Sequence, residues 1–184
     1  MADKRPNTRQ RLLEAAADIS RESGAGSLSL DAVAARAGTS KGGLLYHFPT
    51  KAALMEGVVE MFVSSFAETL SARAAEKQGE PNGLAEAYLE LFVEDHDCNK
   101  PPPSGLLAAL AENPDFLRPV RRFERELLDR MKENSADPAL SIVIFLVALG
   151  VRNSALINLD VLTDEEFHLV TERLKTLLEA APDQ

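Results

Sequence analysis

The chain has 184 residues, 45% of them apolar, which is enough to bury a core in one large domain or two small ones. The longest apolar run, Ile142 to Val151, falls short of the roughly 20 residues of a bilayer span, and the start MADKRPNTRQ has no apolar stretch of a secretion signal. With Cys98 as the single cysteine, an internal disulfide and a multi-cysteine zinc cage are excluded, so a cytoplasmic protein without a membrane partner is expected.

Residues 1 to 7 are polar, contain Pro6 and read as an arm bearing Lys4 and Arg5. Thr8 is the expected N-cap of a first helix with Leu12, Leu13, Ala16 and Ile19 at helical spacing, stopped by Gly24-Ala25-Gly26. Leu30, Val33, Ala34 and Ala37 recur at i, i+3, i+4 and i+7 in a second, short helix that opens at Ser29 or Leu30 and closes at Gly38. Only Gly38 and Thr39 separate it from the stretch SKGGLLYHF, Ser40 to Phe48, and a short helix, a tight turn and another short helix make a helix-turn-helix. Pro49 ends this third helix and Thr50 caps a long fourth one, striped by Leu54, Val58, Met61, Phe62, Phe66 and Leu70 until residues 79–83 interrupt it. At about 1.5 Å per residue that helix spans more than 30 Å, enough to link head and body as a lever.

Leu84, Ala87, Tyr88, Leu91 and Phe92 mark a fifth helix, and Asn99-Lys100-Pro101-Pro102-Pro103 a stiff break. Ser104 caps a short sixth, with Leu106, Leu107 and Leu110, and Phe116, Val120, Phe123, Leu127 and Met131 stripe a seventh. Asp137-Pro138 starts an eighth, reaching to about Leu159 and apolar nearly all round, so it must be covered on several sides. Thr163 and Glu166 form a capping box for a ninth, with Phe167, Val170, Leu174, Leu177 and Leu178 at three-and-four spacing. No run reads as a strand. The expected fold is all-α, about nine helices, with a head over residues 1–50 and a larger helical domain over 51–184.

Charge and chemistry assign the head to DNA. The net charge of -9 is unevenly spread: residues 1–51 hold eight Lys and Arg against five Asp and Glu, the remainder twelve against twenty-four. A basic head on an acidic body suits a DNA-docking module joined to one that does not bind DNA. In the third helix Leu44 and Phe48, four apart, can bury, leaving Lys41, Leu45 and the Tyr46-His47 pair to point elsewhere.

Residues 8 to 55 resemble the tetracycline-repressor (TetR) family of bacterial transcription regulators. The likeness lies in an ordered series: a helix ending near Gly24, Ala-x-x-Ala-Gly, Ser-Lys-Gly, Leu-x-Tyr-His-Phe and a lysine after the turn. It implies a homodimer whose heads enter successive major grooves of a palindromic operator, and a larger domain that binds a small-molecule effector which moves the heads apart. Position by position, Ser29, Thr39, Ser40, Tyr46, His47 and Lys51 fall where family members hold phosphates, and Lys41, Gly42 and Gly43 where they approach base edges. Lysine can donate to guanine O6 and N7, glycine lets the backbone come close, and Thr8 can bring its hydroxyl and helix-terminal N–H groups to a phosphate. Leu45 stands where many members have a tyrosine, and Gly43 where a hydroxyl or amide is common, so a touch on a thymine methyl replaces one polar contact and the operator sequence is not legible.

Phe62, Phe66, Tyr88, Phe92, Phe116 and Phe123 either pack the core or, as the resemblance implies, line the effector site; Arg121, Arg122 and Arg152 either answer an anionic effector or lie on solvated faces. Leu156, Leu159, Phe167, Val170, Leu174 and Leu178 on the last two helices are candidate dimer contacts, because so apolar a pair does not stay exposed. Glu94-Asp95-His96-Asp97-Cys98 looks like a metal-ligand cluster, but i and i+2 on a helix face different ways and a frayed polar helix end accounts for it, so no metal and no cofactor are expected. Only Lys100 lies close enough in sequence to depress the Cys98 pKa, which argues against a redox role. Phosphate-loop, nucleophile-elbow and zinc-protease motifs are lacking, so no enzyme is expected. The sequence reading is thus a repressor released from its operator by an effector; its rivals are a ligand-independent DNA-binding dimer and a helical lipid- or acyl-binding module.

Overall fold

The computed structural model describes residues 7–23, 28–98, 114–156, 159 and 161–180, and among them the chain is helical with no strand. Among the described residues eight α-helices follow in order: α1 Thr8–Ser23, α2 Leu30–Arg36, α3 Lys41–His47, α4 Lys51–Glu76, α5 Gly83–Asp97, α6 Arg118–Glu133, α7 Pro138–Leu156 and α8 Asp164–Glu179, with a 3-10 turn at Pro114–Leu117 before α6. The short helix expected from Ser104 lies outside the described residues. By contacts the chain divides into two compact units, one holding residues 1–64 and 103–121, the other 65–102 and 122–184.

In the first unit the helix ends are tied by short side chains. Asn7, and not Thr8, caps α1: its Oδ1 accepts from the Gln10 amide at 2.8 Å, and Thr8 becomes the first helical residue. Ser29 caps α2 by accepting from the Ala32 amide at 3.1 Å. Leu12, Leu13 and Ala16 of α1, Val33 and Ala34 of α2, Leu44 of α3, Phe48, and Leu54, Met55 and Val58 of α4 share one buried core. At about 1.5–3 kcal/mol for each large apolar side chain removed from water, this cluster is what holds three short helices that would not persist alone. Gly57 is set by packing, since a Cβ there would meet the Phe48 ring at 2.9 Å and Leu13 Cδ2 at 3.0 Å.

The second unit is built around α5, whose Leu84, Ala85, Ala87, Tyr88, Leu89, Leu91 and Phe92 are all buried. Against them pack Leu127 and Met131 of α6, Ile144, Phe145 and Ala148 of α7, and Phe167, Leu174 and Leu178 of α8. Asn82 ties the corner. It holds a left-handed backbone at φ 67°, is buried, donates to the Leu178 carbonyl at 3.2 Å, and accepts from Ser135 Oγ at 2.9 Å and the Ala136 amide at 3.1 Å. Asparagine is one of the few residues with a side chain that tolerates that conformation and can hydrogen-bond locally.

Two boundaries differ from expectation. Phe116 falls in the 3-10 turn, not in the stripe of α6, which begins only at Arg118; Pro119, with no amide hydrogen to give, fits a first turn. α7 is described as far as Leu156, and Leu159 is not helical. At its start Asp137 Oδ1 accepts from the Ala139 and Leu140 amides at 2.9 and 3.2 Å. The window Pro138–Ala155 has a mean hydropathy of 1.6, so α7 is long and apolar enough to cross a membrane by length and composition alone, a test that core helices also pass, and it is not a convincing span. Yet only 22% of that window is buried, and Ile142, Val143 and Leu146 face outward. The capping box of α8 forms in both directions, the Thr163 side chain accepting from the Glu166 amide and the Glu166 carboxylate from the Thr163 amide.

Candidate nucleic-acid interface and effector site

The turn before α3 uses Gly38, whose φ of +63° is open to glycine without strain, and Ser40 then caps α3 by accepting from the Gly43 amide at 3.1 Å. Leu44 and Phe48 are buried beneath the helix, whereas Leu45 is 38% and Tyr46 84% exposed, so the tyrosine is no core residue. Tyr46 and His47 meet at nearly right angles, with ring centroids 5.1 Å apart. Lys41, Gly42, Ser40 and Ser29 are exposed, and Thr8, Thr39, Gly43, His47 and Lys51 half-buried. Thr50 caps α4, accepting from the Ala53 amide at 3.0 Å.

Two details were invisible in the sequence. Lys41 Nζ donates to Asp31 Oδ2 at 2.9 Å, so an acidic residue of α2 already occupies the lysine that the resemblance aims at bases. Gly43 also has an internal reason to be small: a Cβ there would meet Thr39 Oγ1 at 2.7 Å, whereas Gly42 is open, with only Ser40 Oγ at 3.9 Å. Packing in the turn thus accounts for Gly43 but not for Gly42. Arg36 of α2 ties to α1 with two hydrogen bonds to Glu22, 3.0 and 2.8 Å, which hold the carboxyl of Glu22 below its ordinary range and raise the pKa of Arg36.

The candidate effector residues separate. Phe62 packs against the core of the first unit, and the side chain of Phe116 lies outside those described. Phe66, Tyr88, Phe92 and Phe123 come together in the second unit, joined by Phe145, which the uniformly apolar α7 gave no means of singling out. Phe66 meets Tyr88 and Phe123 edge-on at 6.3 and 5.9 Å, and Tyr88 stacks on Phe145 at 6.2 Å. Of the three arginines, Arg121 and Arg122 are exposed, but Arg152 turns inward. Its guanidinium lies 4.8 Å from the Phe66 ring centroid, 5.2 Å from Tyr88 and 5.4 Å from Phe92, and Nη1 donates to the Tyr88 hydroxyl at 3.2 Å. Burial raises the pKa of Tyr88 and of Glu124, with Arg152 acting in the opposite sense on both.

Phe167, Leu174 and Leu178 point into the core of their own unit and so have no surface to offer a second chain. Val170 and Leu159 are exposed, at 37% and 54%, and the side chain of Leu156 lies outside those described. The acidic cluster is no frayed end, because α5 continues to Asp97 with Cys98 as its exposed cap. His96 stacks on Phe167 at 3.5 Å between centroids, and Asp97 Oδ1 lies 3.5 Å from both His96 Nδ1 and His168 Nε2. Among the described residues no group of three or more His, Cys, Asp or Glu is arranged to hold a metal ion.

Residues 12–58 match the family model of bacterial regulatory proteins of the tetR family, and residues 82–179 that of the tetracyclin repressor-like C-terminal domain. No curated protein matches the chain. Among solved structures, a TetR-family member from Streptomyces coelicolor A3, SCO1917, is 27% identical, with a TM-score of 0.67 over 94% of this chain and 99% of that one. The multidrug binding protein EbrR, solved with ethidium, is 25% identical, with a TM-score of 0.67 over the same shares. SmeT in complex with triclosan, 19% identical, shares the fold, with a TM-score of 0.67 over 96% of this chain and 98% of that one. The C-terminal model alone spans more than half of the chain, and with a helix-turn-helix head in front of it the chain belongs to the TetR family of DNA-binding transcription regulators.

Proposed function

We propose that the protein is a homodimeric repressor, bound through residues 1–50 to a palindromic operator and released by a small-molecule effector held within residues 51–184. The observation that carries the DNA-binding half is the division of α3: Leu44 is fully buried while Lys41, Leu45 and Tyr46 stand exposed on the same two turns. Lys41 and the neighbouring open Gly42 are suited to base edges, and Ser29, Thr39, Ser40, Tyr46, His47, Lys51 and Thr8 to phosphates. Effector response is supported by the aromatic cluster of the second unit and by EbrR, which has been solved with imidazole, malachite green and ethidium. Release then requires the effector to favour the state with the lower DNA affinity.

The pairing surface is drawn from outward residues of α7 and α8: Ile142, Val143 and Leu146 on one, Leu169, Val170 and Leu177 on the other, all 36% to 73% exposed. So much apolar surface on neighbouring helices is a feature of an interface that a second copy covers. Capture of genomic fragments on the protein, sequencing, and a binding titration with the recovered duplex test the whole reading. A palindromic consensus bound by two chains, and weakened by Lys41→Ala with a shallower dependence on salt, is expected. Unselective capture, or binding by a single chain, refutes it.

A further inference from the structure

The aromatic cluster of the second unit contains a cation of its own. Arg152 comes from α7, and Phe66, Tyr88 and Phe92 present rings to its guanidinium from α4 and α5 at 4.8 to 5.4 Å. Ring faces of this kind hold a ligand cation only if they are free, and here the protein's own charge takes that place. Its hydrogen-bonding is incomplete. Nη1 has the Tyr88 hydroxyl, but Nη2 is buried, makes no hydrogen bond among the described residues, and lies 3.9 Å from Asp95 Oδ2, beyond hydrogen-bond reach. A buried donor on a charged group without an acceptor is costly, and an oxyanion is its best partner because guanidinium and carboxylate match two-to-two. The side chain as a whole remains 32% exposed, so it is not sealed from a ligand.

From this geometry we infer that the effector is a planar aromatic acid, its rings against Phe66, Phe123 and Phe145 and its carboxylate on Arg152. This deepens the effector reading above and rests on it. Asp95 and the half-buried Glu124 are the acidic groups around the guanidinium. Burial raises the pKa of Glu124, and the nearby Arg152 opposes that shift. A cationic aromatic would have to displace Arg152 from three rings before it could stack on them.

The test is calorimetric titration of the full chain with three bicyclic or larger probes: 2-naphthoate, its uncharged amide and ethidium. We expect 2-naphthoate to bind at least about tenfold more tightly than the amide, in line with the value of a charge-assisted hydrogen bond. Arg152→Gln should remove that preference and Arg122→Gln, an exposed arginine of α6, should keep it. The naphthoate to amide comparison is made on the unaltered protein, so it stands even if Arg152→Gln fails to fold. Equal affinity for acid and amide, or a preference for the acid that survives Arg152→Gln, overturns the assignment. Binding of ethidium without naphthoate overturns the ligand class but leaves the effector reading in place, whereas binding of none of the three overturns both.

Discussion

Asp31→Asn should make the protein bind DNA more tightly. In the free chain Lys41 Nζ is 2.9 Å from Asp31 Oδ2, with the two side chains 56% and 70% exposed. An exposed pair of this kind is worth about 0.2–1 kcal/mol, and DNA must break it to use the lysine. Removing the competitor returns that amount for each head, a gain of about 1.4- to 5-fold, and about 2- to 30-fold if two heads engage one operator. The gain should shrink between about 50 and 200 mM salt, because the pair that opposes binding is itself screened. Stability should move the other way. Asp31 lies in the first turn of α2, where a negative charge meets the positive end of the helix dipole, so its loss costs about 0.3–1 kcal/mol. Fluorescence anisotropy on the captured operator, with a melting curve alongside, reads both signs. If the variant stays folded and its affinity at low salt is unchanged or weaker, Lys41 does not reach DNA in the way proposed.

Asn82→Ala should cost about 2–4 kcal/mol in a denaturant melt, since it leaves the buried acceptor at Leu178 and donors at Ser135 and Ala136 without their partner; a loss below 1 kcal/mol, on the order of a single net hydrogen bond, would count against the corner's role. Leu146→Glu combined with Leu169→Glu places charge on the outward faces of α7 and α8, 56% and 73% exposed, and should yield a folded single chain by light scattering with operator affinity lost; a persistent pair would move the interface elsewhere. Asp129 is held at a pKa of about 2, down from 3.8, first by its hydrogen bond to Arg125 and then by that to Lys132. A depressed carboxylate stabilises the fold above 3.8 and loses that contribution as pH falls through about 2, so the stability difference between the protein and Asp129→Asn should narrow over that interval. A difference that stays constant from neutral pH down would show that the pair contributes nothing to folding.

The helical class, the order of the described elements and the division of α3 were legible in the chain, because apolar spacing and capping residues are local signals. Leu44 and Phe48 inward with Tyr46 outward follows from a period of 3.6, and the Thr163 to Glu166 box needs only four residues to form. Where a signal was ambiguous by one residue, geometry chose: Asn7 took the cap from Thr8 because its carboxamide oxygen reaches the third amide of α1. The periodicity of α8 could not say whether Phe167, Leu174 and Leu178 face this chain or another, since a stripe records that a face is buried without recording by what.

Tertiary structure decided the contacts between residues far apart in sequence. Asp31 of α2 next to Lys41 of α3, Asn82 ahead of α5 bonded to Leu178 of α8, and Arg152 of α7 inside the rings of Phe66, Tyr88 and Phe92 each join separate stretches of chain. Local spacing fixes which way a side chain leaves its own helix, but only packing of one helix on another sets what it meets there. For that reason the sequence alone was enough to identify a DNA-binding head, and the folded chain was needed to find the arginine set among the rings of the second unit.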